Sequence, residues 1–360
     1  MENKLKLLLE GIAEGLYGHI SHPGAYWNQL SQYFDEYLAF CSQSSEVNRL
    51  LDETQRVILD HPLGKFPVAL PHSYRIVKWL QDCLERWNEN LPNRLSALIT
   101  PLDEINEPKF IYRSLKRNLF SEEATVTLLE ENEIIGNGTT GLTSWQGALY
   151  LTDWLLANAV DKFQNKKILE LGCGVGFVGL HLLKSVPVQS FAFTDCHPKV
   201  LNNVWFNLKL NFENDFTPET LSLCTKQGPQ VRPMANFPWT LREHSHLSVH
   251  QLDWTAFSSA ADVFGSRDFD FILGADVVYE RSLIEPLCGV LGAFLQGGRA
   301  KAYIACTERS QTTLSCFEEA LRAIKAQFQV IARGSYTPSE NFLCSDVTHQ
   351  PTRIYEISCL

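Results

Sequence analysis

The feature that most constrains the fold of this chain is an apolar segment that runs directly into a cluster of glycines, at residues 168–176 (ILELGCGVG). The apolar run has the length and composition of a buried strand, and the residues after the glycines have helical period. Glycines at the carboxyl end of a first strand allow a ligand to approach the backbone where side chains would collide with it. The segment therefore predicts a ligand site at one edge of a parallel α/β sheet.

The pattern after about residue 165 supports such a sheet, because short β-branched or aromatic runs alternate with longer helical ones. Strands are predicted at residues 167–171, 190–195, 248–253, 269–273, 301–306, 329–333 and 353–358. Helices are predicted between them, at residues 177–184, 198–210, 283–295 and 312–327. Prolines and weak periodicity indicate a long surface insertion at residues 211–246.

The amino-terminal part of the chain has a different pattern, in which apolar side chains recur at helical spacing. The clearest runs begin at Leu5, Trp27 and Tyr74, and a segment with several prolines precedes the last of them. We therefore predict a helical amino-terminal region over residues 1–130, which we expect to dock the substrate. An α/β domain is predicted over residues 131–360.

Charge and cysteine content exclude several classes of function. The net charge is -10, so no strong positive field favours binding to nucleic acid. The ten cysteines are scattered and form no C-x-x-C pair, which argues against a disulfide framework or a zinc site. No apolar run has the length of a signal peptide or a membrane span. We expect a cytoplasmic protein that binds no metal, no membrane and no nucleic acid.

Two classes of ligand are compatible with the glycine loop. Residues 174–179 satisfy G-x-G-x-x-G, the pattern of a dinucleotide site. Glu170 lies two residues before the first glycine, where its negative charge would oppose a pyrophosphate. S-adenosylmethionine has no phosphate, and its ammonium and sulfonium groups are favoured by a carboxylate. The acid therefore favours S-adenosylmethionine as the cofactor, with an NAD-dependent oxidoreductase as the alternative.

Polar and aromatic side chains follow the second and third predicted strands. Asp195 ends the second strand, where a carboxylate can accept hydrogen bonds from both ribose hydroxyls. A helix cap before Pro198 is the alternative for this acid. Asp253 and Trp254 end the third strand, where they can bind the adenine amino group and stack on its ring. A structural, buried Trp254 is the alternative there.

The fourth predicted strand ends in residues 274–279 (GADVVY). Its small residues, including Ala275, leave room for the methionine portion of the donor. Asp276 and Tyr279 then follow beside the methyl group. Because ligands bind at the carboxyl ends of parallel strands, these two are the predicted acceptor-side residues.

Together these motifs resemble a known family. Residues 139–151 (TTGLTSWQGALYL), 169–176, 194–195, 253–254 and 274–279 are similar, in content and order, to the family 16 seven-strand methyltransferases, which modify lysines on non-histone proteins. The likeness is greatest to the members that methylate translation elongation factor 2, because of residues 138–150 and the helical amino-terminal region.

The resemblance implies a seven-strand Rossmann-like methyltransferase sheet, S-adenosylmethionine as the methyl donor and a lysine of elongation factor 2 as the acceptor. It implies that the donor contacts Trp145, Gly172, Cys173, Gly174, Asp195, Trp254 and Ala275. The residue pattern adds Glu170, Gly176 and Asp253 to the donor site. We expect Asp276 to steer and orient the lysine ammonium, and Tyr279 to form the wall of the acceptor channel.

Other acceptors and functions stay open as alternatives. Methyltransferases of amides and nucleobase amines use two prolines where this chain has Val277 and Val278, which disfavours those acceptors. A small-molecule acceptor is disfavoured by the large helical region, and methylation of another protein is a further alternative. A non-enzymatic binding module is disfavoured by the presence of Glu170, Asp195 and Asp276.

Overall fold

The structure is a computed structural model that describes residues 5–6, 8–9, 11–12, 23–39, 41, 44–59, 70–87, 109–115, 125–131, 138–213, 221, 224, 227–229, 239–241, 245–264, 268–335 and 350–359. The chain divides into two compact units. Unit 1 comprises residues 1–127, 216–228 and 338–347, and unit 2 comprises residues 128–215, 229–337 and 348–360.

The helices of unit 1 that the structure describes over their whole length include α1 (Pro23–Leu38), α2 (Ser44–Leu59) and α3 (Leu70–Arg86). Glu46 in the first turn of α2 and Arg56 in its last turn complement the helix dipole. Trp79 of α3 packs edge-on against Phe34 of α1, with ring centroids 5.8 Å apart. The helices predicted near Trp27 and Tyr74 are therefore present. The predicted break covers residues 61–71, but α3 already begins at Leu70, and residues 61–69 lie outside the described residues.

The prediction of a wholly helical region up to residue 130 is wrong near its end, where the chain forms strands β1 (Phe110–Leu115) and β2 (Val126–Glu131) of a two-stranded sheet. The backbone of Leu129 in β2 pairs with side-chain amides. Its N–H donates to Asn207 Oδ1, and its carbonyl accepts from Asn203 Nδ2, both at 2.8 Å. A segment of this length is too short for its apolar pattern to distinguish a strand from a helix.

Unit 2 is built on an eight-stranded sheet, in the order β5-β6-β4-β3-β7-β8-β10-β9. The strands are β3 (Lys167–Leu171), β4 (Ser190–Asp195), β5 (Trp239–Leu241), β6 (Ser245–Gln251), β7 (Phe271–Ala275), β8 (Lys301–Thr307), β9 (Gln327–Gly334) and β10 (Thr352–Ser358). All the predicted strands are present, which confirms the α/β fold class. The additional strand, β5, pairs antiparallel with β6 and comes from the predicted insertion, most of which lies outside the described residues.

Among the described residues of unit 2, the α-helices are α4 (Gln146–Asn158), α5 (Phe177–Ser185), α6 (Pro198–Phe212), α7 (Ala260–Phe264), α8 (Arg281–Leu295) and α9 (Gln311–Ala323). Ser310 caps α9, because its side chain accepts a hydrogen bond from the Thr313 N–H. Leu291 of α8 and Phe317 of α9 are fully buried against the sheet, where Phe317 contacts Tyr355 edge-on at 5.6 Å. The core of unit 2 therefore lies between the sheet and these helices.

The sheet topology decides where the functional residues meet. Strands β6, β4, β3, β7 and β8 are parallel neighbours in that order, while β10 is antiparallel to both β8 and β9. The chain moves from β3 to β4 and β6 on one side, then returns to β7 and β8 on the other. Such a reversal opens a crevice at the carboxyl ends of the strands.

Two further properties concern the described residues only. Every helix among them is too short or too polar to cross a membrane. The cysteines among them are all free, and their His, Cys, Asp and Glu side chains form no group of three that fits a metal ion.

Candidate functional site

A cavity of about 200 Å³ opens at the carboxyl ends of the parallel strands of unit 2. The predicted site residues that line it are Trp145, Gly172, Gly174, Asp195, Asp253, Trp254, Ala275, Asp276 and Tyr279. The predicted residues outside its lining are Glu170, Cys173 and Gly176. The residues predicted from the sequence therefore cluster at one cavity, although three of them do not line it.

The floor of the cavity is the glycine loop that follows β3. Gly172 and Gly174 have φ angles of 59° and 53°, in the left-handed region that favours glycine. A Cβ on Gly172 would lie 2.8 Å from Val277 Cγ1 and 3.5 Å from the Trp254 ring. The loop therefore needs glycine both for its backbone conformation and for the close packing of Val277. Gly172 and Gly174 also line the cavity with backbone.

Glu170 lies beneath this loop rather than in the cavity. Its side chain is 2% exposed, and its Oε2 is buried without a hydrogen-bond partner among the described residues. Burial raises the pKa of Glu170 to about 8, so the group is mainly protonated at neutral pH. The expectation that its negative charge faces the donor is therefore not supported by its position.

Asp195 borders the cavity and also holds the loop. Its carboxylate accepts from the Gly174 N–H at 3.3 Å and from the His197 N–H at 3.1 Å. Burial raises its pKa, and these backbone hydrogen bonds oppose that shift. The cap of α6 is His197, whose Nδ1 accepts from the Lys199 N–H. The alternative that Asp195 is itself the helix cap is therefore wrong.

Asp253 and Trp254 form the wall beyond β6. Asp253 Oδ1 accepts from both the N–H and the hydroxyl of Thr255, at 2.9 and 2.7 Å, and thereby caps a short 3-10 helix. The Thr255 hydroxyl is the main cause of the lowered pKa of Asp253. Trp254 is only half-buried, and its ring lies over Gly172. This indole is thus a wall of the cavity rather than a core residue.

Asp276 follows β7 and is more constrained than its sequence position suggested. Its φ is 52°, and its side chain is 4% exposed. The carboxylate accepts from the Gly147 N–H at 2.9 Å, the Thr307 N–H at 2.8 Å, the Thr307 hydroxyl at 3.0 Å and Arg309 Nη2 at 3.3 Å. A carboxylate engaged by these donors holds α4 and the end of β8 together. It is poorly placed to steer an incoming ammonium.

Tyr279, unlike the buried Asp276, is exposed to solvent. It lines the cavity, yet 53% of it is exposed, and it is one of the few large hydrophobic residues with such exposure among the described residues. A phenol in this position is accessible to a substrate that approaches the cavity from solvent.

Trp145 and Arg309 complete the wall opposite Trp254. Trp145 precedes α4, and its Nε1 donates to the Thr140 carbonyl at 2.9 Å. The guanidinium of Arg309, just beyond β8, lies over the Trp145 ring at 4.9 Å from its centroid. Our sequence reasoning did not identify Arg309. The signal that identified Asp195 and Asp253 applies to it as well, because it also follows the carboxyl end of a parallel strand.

The chain has matches among protein families, among curated proteins and among solved structures. A family model described as lysine methyltransferase matches residues 122–233 and 236–323. The chain is 32% identical over 282 residues to the protein-lysine N-methyltransferase EEF2KMT of Bos taurus, covering 76% of this chain and 77% of the relative. It is 30% identical over 272 residues to the protein-lysine N-methyltransferase EFM3 of Chaetomium thermophilum, covering 70% and 73%. Among solved structures, the magnesium protoporphyrin IX methyltransferase of Synechocystis matches with a TM-score of 0.35 and 11% identity, over 60% of this chain and 79% of that one.

Proposed function

We propose that this chain methylates a lysine of translation elongation factor 2. The chain belongs to the lysine methyltransferase family. It is a protein-lysine N-methyltransferase that uses S-adenosylmethionine. The proposal is supported by the identity to EEF2KMT over most of both chains. It is also supported by residues 138–150 (GTTGLTSWQGALY), which resemble the family members that act on this factor.

The observation that carries the assignment of the donor site is the glycine loop under the cavity. Gly172 and Gly174 line the cavity without side chains of their own, so a ligand can contact the backbone there. Asp195 borders the same space with a carboxylate that suits ribose hydroxyls, and Trp254 offers a flat face that suits adenine. These residues fit S-adenosylmethionine, which supplies an activated methyl group when bound.

The protein has two tasks in methyl transfer to an amine: to align the reacting groups and to admit the amine without its proton. A free lysine has a pKa of about 10.4 and is mostly charged at neutral pH. An apolar environment favours the neutral form by desolvation. Val277, Leu283 and Tyr279 line the cavity, and we assign this removal of water to them.

We assign different roles to the two residues expected beside the acceptor. Tyr279, which is accessible from solvent, contacts the lysine side chain as it enters. Asp276 acts through the backbone that it holds, because its contacts with Gly147 and Thr307 fix the amino end of α4 and the end of β8. Asp276 is thus a positioning residue in this proposal.

We assign substrate docking to unit 1. Its described helices do not contribute to the lining of the cavity, and a separate unit of this size suits recognition of a folded protein better than of a short peptide. The acidic net charge of the chain, -10, also favours a basic, lysine-bearing surface on the partner.

The proposal is tested by offering one enzyme preparation three acceptors with isotopically labelled S-adenosylmethionine: folded elongation factor 2, proteolytic peptides of that factor and histones. We expect labelling of the folded factor, weaker labelling of its peptides and none of histones. Tyr279→Ala should lower kcat/KM for the folded factor by about tenfold or more while leaving the affinity for S-adenosylhomocysteine unchanged.

Val330→Ala is the matched control for that variant, since Val330 is 44% exposed and lies outside the cavity lining; it should behave as wild type. Labelling of histones without labelling of the factor would overturn the proposed substrate. Equal labelling of peptides and folded factor would overturn the docking role of unit 1. Unchanged kcat/KM in Tyr279→Ala would overturn the role of Tyr279.

A further inference from the structure

The charges around the cavity are distributed unequally. Asp195, Asp253 and Asp276 contribute carboxylates to its lining. Among the described residues, Arg309 contributes the only cation to that lining. S-adenosylmethionine has the complementary composition, because its methionine portion carries a single anionic group, the α-carboxylate.

The guanidinium of Arg309 is held in place. Its Cζ lies over the Trp145 ring, 4.9 Å from the ring centroid, and its Nη2 donates to Asp276 Oδ2 at 3.3 Å. A guanidinium has several further N–H donors in a rigid plane, which match a carboxylate well. Its side chain is 38% exposed, so a ligand can reach these donors.

The backbone that carries Arg309 is also anchored. The Arg309 N–H donates to the Thr307 carbonyl at 2.8 Å. The adjacent Glu308 accepts from Nε of both Arg333 and Arg353, each at 2.6 Å. These contacts hold the end of β8 and so maintain the position of Arg309 relative to the cavity.

The order of the strands places the charges at opposite sides of the glycine loop. Asp195 and Asp253 follow β4 and β6, on one side of β3. Arg309 follows β8, on the other side. A donor whose adenosine lies at Asp195 and Trp254 therefore directs its amino-acid end toward β7 and β8.

We propose that Arg309 binds the α-carboxylate of S-adenosylmethionine, and that Asp276 and Trp145 position its guanidinium for this contact. The inference rests on the donor site proposed above. It gives the buried Asp276 carboxylate a function that does not require contact with the acceptor lysine.

The test compares two ligands that differ only in the α-carboxylate, S-adenosylmethionine and decarboxylated S-adenosylmethionine, with the dissociation constants measured by calorimetry on the full chain. Arg309→Gln should weaken the binding of S-adenosylmethionine by about 10- to 100-fold, as expected for the loss of a hydrogen-bonded ion pair. Its affinity for the decarboxylated ligand should change by no more than about twofold. Arg309→Lys should restore part of the lost affinity, because it keeps the charge without the planar geometry.

The matched control is Arg299→Gln, because Arg299 is exposed near the amino end of β8, away from the cavity lining; it should bind both ligands as wild type does. Equal weakening of both ligands in Arg309→Gln would mean that Arg309 only supports the Trp145 wall, and would overturn the proposal. Unchanged donor binding together with a shifted pH profile of methyl transfer would place Arg309 at the acceptor amine and would also overturn it. Failure of the wild-type protein to bind either ligand would overturn the donor site itself.

Discussion

Individual residues at the edge of the sheet act mainly by holding one another. Asp276 is a non-glycine residue with a φ of 52°, a conformation that costs free energy unless the surroundings stabilise it. Its hydrogen bonds to Gly147, Thr307 and Arg309 supply that stabilisation. Asp195 holds the Gly174 N–H in a similar way. The acids at this edge are therefore part of the frame of the cavity as well as of its lining.

Glu170 leads to a prediction about pH. Burial raises its pKa from 4.5 to about 8, so the folded protein keeps a proton that the unfolded chain loses above about pH 4.5. The stability associated with this group is present below that pH and is lost as the pH rises through about 8. In Glu170→Gln the fall in the free energy of unfolding between pH 5 and pH 8.5 should be smaller than in wild type. Urea midpoints at the two pH values measure the difference.

Glu319→Gln is the control for that comparison, because Glu319 is exposed on α9; it should retain the wild-type dependence on pH. One pKa unit corresponds to about 1.4 kcal/mol, so the effect on the free energy of unfolding is large enough for urea denaturation to detect. If the free energy of unfolding of Glu170→Gln falls between the two pH values as much as that of wild type, the Glu170 carboxyl is already ionised in the folded protein at neutral pH.

At the scale of elements, three charged side chains connect β8, β9 and β10 in an ion triad. Glu308 follows β8, Arg333 lies in β9 and Arg353 in β10. Hydrogen bonds from Arg333, then from Arg353, lower the pKa of Glu308 to about 2. Glu308 therefore stabilises the fold above about pH 4.5, and this contribution is lost as the pH falls toward 2. Glu308→Gln should lower the Tm at pH 7, by an amount that shrinks as the pH is reduced to 3.5.

Calorimetric melting curves at the two pH values check this expectation. Glu285→Gln is the matched substitution, because Glu285 is exposed on α8, and its effect on the Tm should be small. A loss of Tm in Glu308→Gln that is equally large at both pH values would contradict the ionic contribution and indicate a packing defect instead.

At the scale of the whole molecule, ligand binding and stability are coupled through unit 2. All residues that line the cavity belong to this unit. A ligand at one hundred times its Kd stabilises the folded state by about 2.7 kcal/mol. S-adenosylhomocysteine should therefore raise the temperature of the unfolding transition of unit 2, whereas NAD should not. Differential scanning calorimetry with each ligand distinguishes the two, and an equal shift with NAD would restore the dinucleotide alternative.

The sequence by itself determined the strands of unit 2 except β5, its helices except α4 and α7, and the edge at which the site forms. The period of the apolar residues marks each element, and parallel strands bring their carboxyl ends to one edge whatever else the chain does. This logic located Asp195, Trp254 and Tyr279 at the cavity from their positions after strands. The short β1 and β2 were missed, because segments of that length do not show a distinctive period.

Only the tertiary structure decided what each side chain at that edge does. Glu170 lies in a strand buried on both faces, so alternation along β3 does not reveal that its carboxyl is buried outside the cavity lining. Asp276 accepts from Gly147, 129 residues away along the chain, and Arg309 is positioned by contacts with Trp145 and Asp276 that no local pattern encodes. The physical reason is that local period fixes the direction of the backbone. Hydrogen-bond partners at strand ends are fixed by packing between elements that are distant in sequence.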